Sequence, residues 1–352
     1  MRTTPAPQPV YPLTVPKAHQ DPALRIDLAG VALRTPIILA AGTAGTLDEM
    51  RSATDLAGVG AITTKSITPE ERTGNAPWRV APVKAGMINA IGLANPGIER
   101  FVAEYAPRIP QVGVPVIGSV AAGSIDGYAK VAEQLDALST LAAIELNVSC
   151  PNTGDGTEFG ADPALLAALV AAVRAAAPRT RVFVKLPPVT IGTPHGITDL
   201  ARAATDPATF DAPSIPAGPN ARPGADALCI ANTTPATAID VERGTYRLGN
   251  KSGGLSGPAV HQIAVKLVHD VHRTLGTEAP PIVGIGGVLA WDDAAELMLA
   301  GASAVQIGTG LFVSPRSPKR VAAGLARYAR KRGHASVDAL TGRVTEEEHQ
   351  EE

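Results

Sequence analysis

The stretch ELNVSCPNTGDG, residues 145 to 156, places Cys150 just past a run that reads as a strand, between Asn147 and Asn152. A thiol there can act as a nucleophile or as a base, because the thiolate is the reactive form. Asparagines offer donors and acceptors together, so they can hold a flat polar heterocycle without adding charge. The other cysteine, Cys229, lies inside the apolar run DALCIAN and reads as core filling. Lys65 in TTKSIT and Lys185 in VFVKLPP each end a hydrophobic strand, where an ammonium needs an anion or an electron-rich ring as partner. Either lysine alone could snorkel past the strand end to solvent; two in matching positions favour a site. Gly286 and Gly287 in GIGGV, and Gly308 and Thr309 in QIGTG, suit close approach of backbone N–H groups to a phosphate, although tight turns also use glycines. GGLSG, residues 253 to 257, precedes a helical pattern and offers a third set of donors. None of these runs has the strand-one context of a dinucleotide fingerprint, so NAD binding by this chain is not expected.

The elements that must position these groups recur along the chain. PIILAA, GAITT, VPVIGSV, AAIELNV, RVFVKL, DALCIAN, PIVGIGG and SAVQIG are short, apolar and rich in β-branched residues. Segments with helical spacing, such as ADPALLAALVAAVRAAA and GPAVHQIAVKLVHDVHRTL, separate most of them. Strands apolar on both faces suit a parallel sheet covered by helices. Eight of them predict an α/β fold, a (β/α)8 TIM barrel with extended loops at its carboxyl-terminal face; a doubly wound sheet is the alternative. In a barrel the strand ends converge on one rim, bringing together Gly42, Lys65, Ser66, Ser119, Asn147, Cys150, Lys185, Asn232, Thr233 and the glycines of the last two strands. Extra length falls in the 68–97 connection and between Pro187 and Ala225. The latter reads as an ordered, helix-poor excursion around Pro207 to Gly224.

The 352 residues are 45% hydrophobic with a formal net charge of −2, which gives no basic excess for nucleic acid. No apolar run reaches the roughly 20 residues a membrane span requires. Residues 1–20 form a proline-rich extension without the apolar stretch of a secretory signal, and 336–352 a polar acidic tail, leaving 21–335 for the barrel. Two cysteines cannot make a disulfide framework or a four-thiolate cluster, and the expectation is a cytoplasmic enzyme without a metal site.

Together TKSIT, GMINAIGLANPG, NVSCPN, VKLPP, ANTT, NKSGGLSGPAV, GIGG and QIGTG resemble, in order and spacing, the class 1 dihydroorotate dehydrogenases, over about residues 26 to 330. GNAPWRV followed by GMINAIGLANPG, with GGLSGPA, is most similar to the catalytic subunit of the NAD-linked B-type branch. The resemblance implies one FMN per chain and oxidation of (S)-dihydroorotate to orotate in pyrimidine (UMP) biosynthesis. Cys150 takes the place of the family's base, removing a proton from carbon 5 while hydride leaves carbon 6. Substrate contacts fall on Lys65, Asn89, Ala90, Ile91, Gly92, Leu93, Asn147, Asn152, Asn232 and Thr233. Cofactor contacts fall on Ala41, Gly42, Lys65, Ser66, Ser119, Asn147, Lys185, Ala231, Gly257, Gly286, Gly287, Gly308 and Thr309. The B-type likeness further implies a homodimer and a separate electron-transfer subunit carrying FAD and a 2Fe–2S cluster. Ser119 departs from the family's usual asparagine, and TIGTPHG and DAPSIPAGPNARPG look inserted. Competing readings are a dihydropyrimidine dehydrogenase-like flavoenzyme, a stand-alone fumarate-using dihydroorotate dehydrogenase, a catalytically silent barrel and a non-redox phosphate-binding barrel. The NAIGL stretch and the retained Cys150, Lys65 and Lys185 weigh against the first, third and fourth.

Overall fold

The structure, a computed structural model, describes residues 21–47, 49, 53–149, 158–188, 194–213, 219, 222–276 and 279–345. In chain order, β1 (Ile26–Leu28) and β2 (Val31–Leu33) form an antiparallel hairpin. β3 (Ile37–Leu39) and β4 (Ala61–Thr63) begin the barrel, and β5 (Val80–Val83) with β6 (Gly86–Asn89) leaves it. β7 (Val116–Val120), β8 (Ala143–Asn147), β9 (Val182–Lys185) and β10 (Ala227–Ile230) return to it. A second excursion holds β11 (Thr234–Thr237), β12 (Ile239–Asp240), β13 (Thr245–Tyr246) and β14 (Ser252–Ser256). β15 (Ile282–Ile285) and β16 (Ala302–Ile307) then complete a closed barrel of order β10-β15-β16-β3-β4-β7-β8-β9. Its neighbours pair in parallel, and each of the eight sequence runs supplies one strand.

The helices are α1 (Gly97–Arg100), α2 (Ile125–Asp136), α3 (Pro163–Ala176), α4 (Ile197–Thr205), α5 (His261–Leu275), α6 (Trp291–Ala300), α7 (Gly310–Val313) and α8 (Ser317–Lys331). α2 shows how the pattern works: the Ser124 side chain caps it by accepting from Gly127 N–H at 3.1 Å, and Tyr128, Val131, Ala132 and Leu135 form the buried stripe. α3 starts at Pro163 behind an Asp162 cap, whose carboxylate accepts from Leu165 N–H at 3.0 Å. α3 also carries Arg174, fully buried, whose guanidinium meets Asp226 at 2.5 Å and donates to the Gly224 carbonyl at 2.8 Å and the Thr180 carbonyl at 3.0 Å. Asp226 in turn accepts from Val182 N–H at 2.8 Å, so one ion pair ties α3 to the starts of β9 and β10.

Within Pro187–Ala225, the 9-residue α4 returns the chain between β9 and β10, and the stretch read as helix-poor, from Pro207, opens on a short 3-10 turn, Pro207–Phe210. Two regions go beyond the sequence reading. Residues 336–345 do not form a free tail. Val337 and Leu340 are fully buried, Thr341 Oγ1 donates to the Ala302 carbonyl at 3.0 Å, and Val344 N–H donates to the Leu299 carbonyl at 3.2 Å. Two apolar residues amid polar neighbours are too short a pattern to announce this docking. Finally, the two excursions join into one antiparallel sheet, order β11-β14-β6-β5, above the barrel mouth. Its own small core is Ala81, Ile88 and Leu248.

Candidate active site

A cavity of about 550 Å³ opens over the carboxyl ends of the strands and beneath the four-stranded sheet. Ala41 and Gly42 follow β3, Lys65 and Ser66 follow β4, and Asn147 and Lys185 end β8 and β9. Ala231, Asn232 and Thr233 follow β10, Gly286 and Gly287 follow β15, and Gly308 and Thr309 follow β16. Gly257 closes the second excursion on the same cavity, and Asn89, Ala90, Ile91, Gly92 and Leu93 line it from the end of β6. Cys150 and Asn152 lie outside the described residues; Ser149, one residue before Cys150, lines the cavity.

A chain of hydrogen bonds fixes the polar wall. Asn147 Nδ2 donates to Ser66 Oγ at 3.3 Å, and Asn232 Nδ2 donates to Asn147 Oδ1 at 2.9 Å and to Ser149 Oγ. Thr233 N–H donates to Asn232 Oδ1 at 2.9 Å, and the Tyr128 hydroxyl donates to the Asn147 carbonyl at 2.7 Å. Side chains held this way are oriented before any ligand arrives, which lowers the ordering cost of binding. Ser119 occupies a different place from its neighbours: it is fully buried, shares a 3.0 Å hydrogen bond with Ser66, and supports that residue from behind. Asn89 Nδ2 donates to the Gly254 carbonyl at 3.2 Å. A Cβ at Gly254 would stand 1.9 Å from Thr233 Oγ1, so only glycine lets β14 pass this wall.

Lys185 is 6% exposed and in register with Asn147 on one side and Cys229 on the other. Beneath the cavity, Gln306 Nε2 donates to Glu145 Oε2 at 2.6 Å, and Lys185 Nζ is 4.0 Å from Glu145 Oε1. Burial pushes the Cys229 thiol well above the usual range, and the Glu145 charge adds to the shift, so this cysteine stays a neutral thiol. Cys229→Ala is expected to cost on the order of 1 kcal/mol through a small cavity. Turnover per folded molecule should be unchanged, and a large loss of rate would show that the two cysteines have been assigned wrongly.

The sequence reading did not single out Ser149, Glu145 or Gln306. The signal available for the last two was a lone polar residue inside an apolar strand, in AIELN and AVQIG. Among the described residues no group of three or more metal-ligating side chains comes together. No helix among them is long and apolar enough to cross a membrane.

A closed (β/α)8 barrel with a polar pocket at the carboxyl ends of its strands defines a barrel enzyme that does its chemistry at the mouth. The family model described as dihydroorotate dehydrogenase matches residues 23–210 and 218–328. The chain belongs to the dihydroorotate dehydrogenase family and is an oxidoreductase. It is 40% identical over 318 residues to the protein of Desulforudis audaxviator (strain MP104C) named dihydroorotate dehydrogenase B (NAD(+)), catalytic subunit, covering 90% of this chain and 96% of that one. The protein of the same name from Geobacter sulfurreducens is 39% identical over 324 residues, 92% of this chain and 98% of its own length. The crystal structure of the Eimeria tenella dihydroorotate dehydrogenase in complex with ferulenol shares the fold, with a TM-score of 0.73 at 21% identity, covering 93% of this chain and 90% of that one.

Proposed function

We propose that this chain is the catalytic subunit of a B-type dihydroorotate dehydrogenase, oxidising (S)-dihydroorotate to orotate on FMN. The observation that carries the reading is the single pocket on which Lys65, Asn89, Asn147, Lys185, Asn232 and the strand-end glycines meet. The residues suit a flavin. Lys185 lines the cavity, and the carboxylate Oε1 of Glu145 stands 4.0 Å from its Nζ, at the limit of an ion pair, which suits its ammonium to an electron-rich ring edge. Gly257, Gly286, Gly287, Gly308 and Thr309 line the same cavity and would hold a phosphate. FMN, when bound, supplies the acceptor for the hydride from carbon 6 of the substrate.

The chain's own residues do the rest. Cys150 removes the proton from carbon 5. Asn89, Asn147, Asn152 and Asn232, with Thr233, hold the ring and its carboxylate, while Lys65 reaches both substrate and cofactor. The hydrogen-bonded wall fixes the orientation of Asn147 and Asn232, so the ring is presented in one pose. The sheet of β5, β6, β11 and β14 covers the mouth and limits water.

Electrons then leave through a partner. Two cysteines fall short of the four thiolates of an iron–sulfur cluster, so FAD and a 2Fe–2S cluster belong to a separate subunit docked near a homodimer of this chain. Val80 and Phe312 support such docking, since both line the pocket and are exposed. Purified chain is expected to bleach its flavin on anaerobic mixing with dihydroorotate and to turn over with an artificial dye. NAD should serve only after the partner subunit is added. Robust NAD reduction by this chain alone would sink the two-subunit reading, and fast fumarate reduction would place the chain in the stand-alone branch.

A further inference from the structure

The mechanism leaves one buried carboxylate without a task. Glu145 lies two residues before Asn147 on β8, hence on the same inward face of the strand. It is fully buried. Its Oε2 takes the 2.6 Å hydrogen bond from Gln306, while its Oε1 has no hydrogen-bond partner among the described residues and faces Lys185 Nζ at 4.0 Å. Gln306 turns its amide nitrogen, not its oxygen, to the carboxylate, which is the orientation that complements a negative charge. Burying a charge in a barrel core is costly, and the barrel could have been filled by an apolar residue at this position. Lys185 lies between this carboxylate and the open cavity.

We propose that Glu145 is a positioning residue for the redox step: it holds the Lys185 ammonium at the pocket floor and offsets part of its charge. The inference rests on the FMN reading above. In that reaction a proton leaves carbon 5 to Cys150, and a hydride with both electrons leaves carbon 6. The reduced flavin therefore carries one more negative charge than the oxidised form. Lys185 stabilises that charge, and Glu145 competes for the same ammonium. The potential of a bound flavin would thereby be set by how Lys185 is shared between a fixed carboxylate and the charge of the reduced cofactor.

Glu145→Gln keeps the shape of the side chain and removes the competing anion. Spectroelectrochemical titration of the FMN-loaded protein should show an upward shift in midpoint potential. We expect about tenfold stronger preference for the reduced flavin, about 30 mV for a two-electron couple. Glu145→Asp keeps the charge but withdraws it from Lys185, and should shift the potential in the same direction by less. An unchanged or lowered potential in Glu145→Gln overturns the proposal. Should that variant fail to fold, Glu145→Asp decides by the same criterion. A purely structural role would lower stability in both variants without moving the potential. Wild-type protein that folds but binds no FMN removes the flavin reading itself; a yellow protein whose potential ignores residue 145 removes only this inference.

Discussion

Replacing Cys150 by alanine is expected to leave FMN bound and to slow flavin reduction by dihydroorotate at least about 100-fold, the scale of lost general-base catalysis. The residues just before Cys150 in sequence belong to the polar wall: β8 ends at Asn147, Val148 is buried, and Ser149 lines the cavity. Apart from Asn147, the FMN contacts proposed here lie on other strands, which is why binding and chemistry should separate in this variant. The base acts as the thiolate, so the wild-type rate should climb with pH until the thiol is ionised. A free cysteine titrates near pH 8.5, and any cation at the site would bring that limb lower. Cys150→Ser, whose hydroxyl is a far weaker acid, should lose this limb between pH 6 and pH 9, on the order-of-magnitude scale of side-chain titration. Stopped-flow reduction at near wild-type speed in Cys150→Ala would remove the thiol from the mechanism.

The second large effect concerns the scaffold. Arg174→Met is expected to lower unfolding free energy by about 3–5 kcal/mol, because it strands Asp226 as a buried, uncompensated charge. Both side chains are fully buried at a separation of 2.5 Å, out of reach of solvent that could replace the guanidinium. Methionine keeps most of the volume, so the loss reports the charge and not a cavity. The Thr180 and Gly224 carbonyls also lose their donors, which adds to the cost. Denaturant unfolding of the variant provides the measurement. The double variant Arg174→Met with Asp226→Leu should recover part of the loss by removing the stranded charge, and a single variant as stable as wild type would show that the pair is not holding α3 to the barrel.

The sequence by itself determined the barrel strands and most of the rim. Apolar runs bounded by glycine, lysine or asparagine mark where each strand starts and stops, and in a barrel the end of a strand is the site, so Lys65, Asn147, Lys185 and Asn232 could be named from position alone. Periodicity says which face of a strand is buried, however, and not which distant residue it will meet. Glu145 and Gln306 are 161 positions apart, and Asn89 and Gly254 are 165 apart; only barrel closure and the sheet over the mouth bring each pair within hydrogen-bonding distance. The same limit applies to Ser119. Its strand-end position pointed to the cavity, whereas its small side chain reaches only as far as Ser66 and is sealed behind it. Val337 and Leu340 complete the contrast: two apolar residues carry too little pattern to mark an element, yet the surface left open by α6 and α8 gives them somewhere to pack. Local spacing encodes what a residue can do; the partner it does it with is fixed by loop closure over many residues, which no local pattern records.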